Sequence, residues 1–176
     1  MQKPDPSPLS PQQLSRRKFA KNSGLAAGAA ALGVPSIASA QGNKSPLKLG
    51  LIGCGGRGRG AAGQALTADR DVTLTMVADV SETQAESAVG QLRKRHPEQV
   101  GEPERLIGLD AYKKVIEGSD VVILTTPPGF RPQMLRAAIE ADKHVFCEKP
   151  VAVDGPGIRS VLESAKMAQE KKLTLI

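Results

Sequence analysis

Aromatic residues are nearly absent: the 176-residue chain has no Trp, one Tyr and three Phe. Single-stranded nucleic acid is gripped largely by stacking bases on aromatic rings, so no nucleic-acid partner is expected. The only two histidines, His96 and His144, stand far apart with no cysteine or carboxylate at ligand spacing, and no metal site is expected. The weakly apolar stretch Gly24 to Val34 falls short of the roughly 20 residues a membrane span requires. At 176 residues there is room for one compact unit but not for two multi-layer domains. What is present suffices for a core. Aliphatic, aromatic and cysteine residues make up 40%, and 18 glycines bring the apolar share near the usual half, which excludes wholesale disorder.

The net charge of +6 is unevenly distributed. Residues 1–40 hold Lys3, Arg16, Arg17, Lys18 and Lys21 against Asp5, a net of +4, leaving 19 basic and 17 acidic residues for the rest. The basicity therefore belongs mostly to a leader and not to a binding surface. Pro4, Pro6, Pro8 and Pro11 mark a disordered start, followed by Ser15-Arg16-Arg17-Lys18-Phe19, the Gly/Ala-rich stretch to Val34, and Ala38-Ser39-Ala40. A twin arginine, a short apolar region and an A-x-A cleavage site in that order predict a twin-arginine (Tat) signal read by the Tat export machinery, with the mature chain starting near Gln41 and periplasmic or otherwise exported. An amphipathic helix is the alternative, but Gly24, Gly28 and Gly33 would each cost it about 1 kcal/mol.

Beyond a polar linker, residues 41–46, apolar runs alternate with helical patterns through residues 47–176. Strands are predicted at Leu47–Ile52, Val72–Ala78, near Leu106 and Ile107, at Val121–Thr125, at His144–Cys147, and beginning at Leu173. Between them, helices are predicted from Ala61, Ala62, Ala65 and Leu66, from a Ser81/Gln84 capping box, from an Asp110 cap, from Pro132 in a first turn, and from an Asp154 cap. Lys94–Glu104, polar and holding Pro97 and Pro103, reads as a surface excursion. Strict alternation predicts an α/β doubly wound parallel sheet with right-handed crossovers, the Rossmann architecture.

The first strand runs straight into Gly53-Cys54-Gly55-Gly56-Arg57-Gly58, a G-x-G-x-x-G turn that opens a helix. Gly53 permits the tight turn, Gly55 lets backbone approach a pyrophosphate, and Gly58 lets helix and strand close together. Free N–H groups at the helix start suit phosphates. Asp79, 26 positions after Gly53, ends the second strand and is placed to accept hydrogen bonds from a ribose diol. That predicts NAD over NADP, because a 2′-phosphate about 4 Å from a carboxylate is repelled by a few kcal/mol at an effective dielectric near 20. A capping role beside Ser81 is compatible with this, and Arg57 and Arg59 are the residues able to soften the preference. In a 3-2-1-4-5-6 sheet Cys54 and Cys147 lie two strand spacings apart, roughly 9.6 Å, beyond disulfide reach, and are expected as free thiols.

Leu51-Ile52-Gly53-Cys54-Gly55-Gly56-Arg57-Gly58, Asp79, Thr126-Pro127-Pro128 and Lys143-His144-Val145-Phe146-Cys147-Glu148-Lys149-Pro150 together resemble the Gfo/Idh/MocA oxidoreductases. The resemblance covers nearly all of Leu47 to Ile176, with Asp142 where the family usually has Gly. It implies that Lys149 contacts nicotinamide and substrate hydroxyl and handles the departing proton. It also implies that Glu148 holds the nicotinamide ribose, that Pro150 is the frequently cis proline aiming both, and that Thr126 and Pro127 line the cofactor cleft. Many relatives carry His shortly after that Thr-Pro, where Arg131 stands here. The implied activity is NAD-dependent oxidation of a sugar or polyol. Glycoside hydrolysis through bound NAD and a non-catalytic nucleotide-binding remnant are the rival readings. Relatives continue into a substrate domain, so the chain reads as the nucleotide-binding part of a larger enzyme, one that could be a homo-oligomer in its full-length form.

Overall fold

Leu49 and Leu51 point to one face of their strand and Gly50 and Ile52 to the other, and the two faces seed two separate cores. The computed structural model describes residues 45–176; the predicted leader and residues 41–44 of the linker lie outside the described residues. Five strands form one parallel sheet: β1 (Leu47–Ile52), β2 (Val72–Asp79), β3 (Glu104–Ile107), β4 (Val121–Leu124) and β5 (His144–Cys147). Their order is β3-β2-β1-β4-β5, so the chain reverses direction across the sheet between β1 and β4.

Helices α1 (Gly56–Ala68) and α2 (Glu82–Arg95) cover one face. Ala61, Ala62 and Leu66 of α1 and Ala85, Ala88, Val89 and Leu92 of α2 pack there against Leu49, Leu51, Leu74 and Val77. Helices α3 (Ala111–Gly118), α4 (Arg131–Glu140) and α5 (Gly155–Glu170) cover the other face. Tyr112, Val115 and Ile116, then Met134, Leu135, Ala138 and Ile139, then Ala168, meet Ile52, Val122, Leu124 and Val145. Small residues on α1 and α2 let those helices lie close to the sheet. A register shift between Leu49 and Gly50 leaves Thr75 without a ladder partner on β1.

Of the three side-chain caps expected from the sequence, at Ser81, Asp110 and Asp154, two form and one does not. Ser81 Oγ accepts the Gln84 N–H at 3.4 Å, and Asp154 Oδ1 accepts the Gly157 N–H at 2.7 Å. The reciprocal half of the Ser81 box is taken by Asp79, whose Oδ1 accepts the Ser81 N–H at 2.9 Å while the Gln84 side chain accepts from Arg59. Asp110 makes no capping bond: its backbone is already helical (φ −91°, ψ −4°) and its carboxylate pairs with Lys113 at 2.7 Å.

The excursion expected over Lys94–Glu104 is mostly at the surface, with Pro97, Glu98, Gly101 and Glu102 exposed, and is corrected at two points. Helix α2 continues to Arg95, and Val100 is fully buried in the core on its face of the sheet. Gln99 ties the turn to the sheet, its side chain donating to the carbonyls of Asp69 and Val72 and its own carbonyl accepting from Leu74. Residues 173–176 run parallel to β5 but form only a single bridge, Val145 to Leu175, in place of the expected strand. Among the described residues no helix is long and apolar enough to cross a membrane.

Candidate functional site

All the loops that could carry chemistry leave the carboxyl ends of the parallel strands, with the crevice of a doubly wound sheet falling where strand order reverses. Here that place lies between β1 and β4, and the glycine turn crosses it. Gly53 takes φ +94°, a conformation that an L side chain rarely adopts, and its N–H donates to the Ala78 carbonyl at 2.8 Å. At Gly58 a Cβ would lie 1.9 Å from the Gly53 carbonyl oxygen, so only glycine lets α1 start this close to the turn. Gly55 differs, since a Cβ there would meet nothing within 4 Å. That open space faces no protein atom and leaves the backbone approachable.

Helix α1 begins with no side-chain cap and no acidic residue in its first turn, so its first N–H groups and the positive end of its dipole are available to an anion. A pyrophosphate fits this donor set. Asp79 organises the turn from β2: Oδ2 accepts the Cys54 N–H at 2.7 Å and Oδ1 the Ser81 N–H. Each carboxylate oxygen keeps a further lone pair, so the bonds to backbone do not preclude a ribose diol. A cleft of about 180 Å³ opens beside it, walled by Gly53, Asp79, Val80, Leu109, Thr126 and Phe130 among others. Its walls are chiefly apolar with one carboxylate, suited to a flat, partly polar ring system and its sugar.

On the far side of β4 the chain places the segment after β5. Glu148 is buried, and Arg57 from the glycine turn reaches over to it, Nε to Oε1 at 2.6 Å with the terminal Nη2 on the same oxygen. The hydrogen bond from Arg57 holds the Glu148 carboxyl below its usual range, against the burial that pushes it up. Lys149 is exposed, and its ammonium has no ion-pair partner among the described residues, while its N–H donates to Glu148 Oε2 at 3.1 Å. The Lys149–Pro150 bond is cis. Arg131 is buried; its guanidinium donates to the carbonyls of Thr126, Glu148 and Pro150 and does not reach into the open cleft.

The structure thus gathers Gly53, Asp79, Thr126 and Pro127 around one cleft and sets Glu148, Lys149 and Pro150 beside it, outside its lining. Thr125 is a residue that sequence reasoning passed over: its Oγ1 donates to the Gly53 carbonyl at 2.7 Å and locks β4 to the glycine turn. A hydroxyl at the end of a β-branched run was the available signal. Val80 and Leu109, apolar and 65% and 63% exposed, were missed because each reads as a loop residue. Burial pushes the Cys54 thiol up to about 12, helped by the neighbouring Asp79 charge, and burial also raises the Cys147 thiol. Both cysteines are free. Among the described residues no three His, Cys, Asp or Glu side chains are grouped to hold a metal.

Compared with known proteins, residues 47–176 match the sequence model of the Gfo/Idh/MocA group, described as an oxidoreductase family with an NAD-binding Rossmann fold. The chain belongs to the Gfo/Idh/MocA oxidoreductase family. A curated relative, an inositol 2-dehydrogenase of Cereibacter sphaeroides, is 30% identical over 118 residues, covering 67% of this chain and 32% of the relative. A solved WlbA dehydrogenase from Chromobacterium violaceum, in complex with NADH and UDP-GlcNAcA, is 28% identical with a TM-score of 0.58, covering 76% of this chain and 35% of that one. The scyllo-inositol dehydrogenase of Lactobacillus casei, at 22% identity and a TM-score of 0.59 over 74% of this chain and 35% of its own, shows the shared fold. This Gfo/Idh/MocA chain spans about one third of the length of the curated inositol 2-dehydrogenase it matches. The matched region is the NAD-binding domain of the family.

Proposed function

We propose that this chain serves an exported NAD-dependent dehydrogenase acting on a sugar or polyol. The observation that carries the reading is the layout of the site at the β1/β4 reversal, with the Asp79 cleft opening across it and an unpaired Lys149 beyond β4, after β5. The glycine turn and the start of α1 would hold the pyrophosphate, and Asp79 would hold the adenosine ribose. Glu148 would hold the nicotinamide ribose, with Thr126 and Pro127 lining the passage between the two halves. When bound, NAD supplies a hydride acceptor. Lys149 would bind the substrate hydroxyl through Nζ and relay its proton as the alcohol carbon is oxidised. Support for the substrate class comes from the relatives, which include inositol dehydrogenases and an enzyme solved with a nucleotide sugar.

Calorimetric titration of the chain with NAD and NADP tests the reading. NAD should bind at least about tenfold more tightly, a difference of about 1.4 kcal/mol. Asp79→Ser should narrow that gap by removing both the diol acceptor and the repelling charge. Preference for NADP in the parent chain would overturn the assignment. In active enzyme, Lys149→Ala should depress turnover far more than NAD affinity, as expected of a group acting on the transition state.

A further inference from the structure

Arg131 places a cation where this fold makes one costly. It is 6% exposed and occupies the first position of α4, where the positive end of the helix dipole disfavours further positive charge. Among the described residues no carboxylate pairs with it. Its compensation comes from backbone instead: Nε donates to the Thr126 carbonyl at 2.6 Å, and Nη1 to the carbonyls of Glu148 and Pro150, each at 2.5 Å. These oxygens belong to two separate loops, one after β4 and one after β5. Two of them flank Lys149 directly. The Lys149 N–H is in turn held by Glu148, whose other oxygen Arg57 holds. Lys149 therefore carries an untied side chain on a backbone pinned from both sides.

We infer that Arg131 is a positioning residue, which fixes residues 148–150 against the loop after β4 so that Glu148 and Lys149 meet the nicotinamide half of the cofactor. The inference rests on the functional reading given above, and it goes further by dividing the cofactor's contacts between two supports. No hydrogen bond joins Arg131 to the glycine turn or to Asp79, which serve the ADP-ribose half, whereas the nicotinamide half depends on it. A planar guanidinium fork can bridge carbonyls from two loops, whereas a lysine ammonium is a single point on a flexible stem.

The test compares NAD with ADP-ribose, which lacks nicotinamide, by calorimetric titration of the 176-residue parent, Arg131→Lys and Arg131→Met. Both variants should lose about tenfold in NAD affinity, the scale of a lost hydrogen bond from a charged group. ADP-ribose affinity should stay within about twofold, and this also reports that the variants are folded. Equal weakening of both ligands, or loss of both in the two variants, would make Arg131 a requirement of the fold and overturn the inference. Unchanged NAD binding in Arg131→Lys would overturn it too, as would a parent that binds the two ligands equally. A parent that binds neither ligand would instead overturn the nucleotide-binding reading itself, and the inference with it.

Discussion

A methyl group at Gly58 would lie 1.9 Å from the Gly53 carbonyl oxygen and 2.7 Å from Thr125 Oγ1, and neither can retreat without breaking the bond that joins them. Gly58→Ala is therefore expected to cost about 1–3 kcal/mol, the range for forced overpacking, and to abolish NAD binding. Urea denaturation with NAD titration checks both. Gly55→Ala provides the contrast, because its Cβ would enter open space. It should fold normally and still weaken NAD, as the space it fills is the one a pyrophosphate would need. The cysteines make a separate residue-scale prediction. With its thiol raised to about 12 and its side chain fully buried, Cys54 should resist thiol reagents at pH 8 in the folded chain and react once the chain is unfolded. Rapid labelling of Cys54 in the native state would contradict the burial.

At the scale of elements, the contact between the α1 turn and the segment after β5 is electrostatic and so depends on pH. Arg57 holds the Glu148 carboxyl below its usual range, and a carboxyl depressed on folding contributes stability above its unfolded pKa and loses it as pH falls through the folded one. The unfolded value for Glu is about 4.3, so the contribution should be complete near neutrality and fade below about pH 4. Urea midpoints of the parent should fall on acidification through that window, and those of Arg57→Ala should fall less. Identical pH profiles would show that the pair contributes nothing. The Arg57 side chain is 59% exposed, so salt should weaken the effect. The helix caps carry a lesson at the same scale. Ser81 and Asp154 cap because their backbones are extended, whereas Asp110 sits in a helical conformation and pairs with Lys113 instead. Residue type alone could not separate these cases, since one side chain serves either a cap or an ion pair.

For the whole molecule, the proposed route of export predicts that Arg16 and Arg17 act as a pair. Replacing both with Lys preserves charge but removes the planar guanidinium groups, and the double variant should remain in the cytoplasm while the parent reaches the periplasm. Cell fractionation decides this, and equal export of both would overturn the Tat assignment. The alternation of strands and helices, the glycine turn and the place of Asp79 were legible in the amino-acid sequence because each is local. One β-strand, turn, helix and strand span only residues 47–79, and within so short a stretch apolar periodicity and spacing determine what can meet. The free state of both thiols followed as well, once the strand order set their separation. What only the tertiary structure decided are the contacts between distant segments. Arg57 meets Glu148 across 91 positions, and Thr125 reaches the Gly53 carbonyl across 72. Arg131 binds three carbonyls, and Val100 is buried within a stretch that reads as polar surface. Backbone carbonyls are the same at every residue and leave no mark in a sequence, so a side chain that serves them can be recognised only when packing has brought them within its reach.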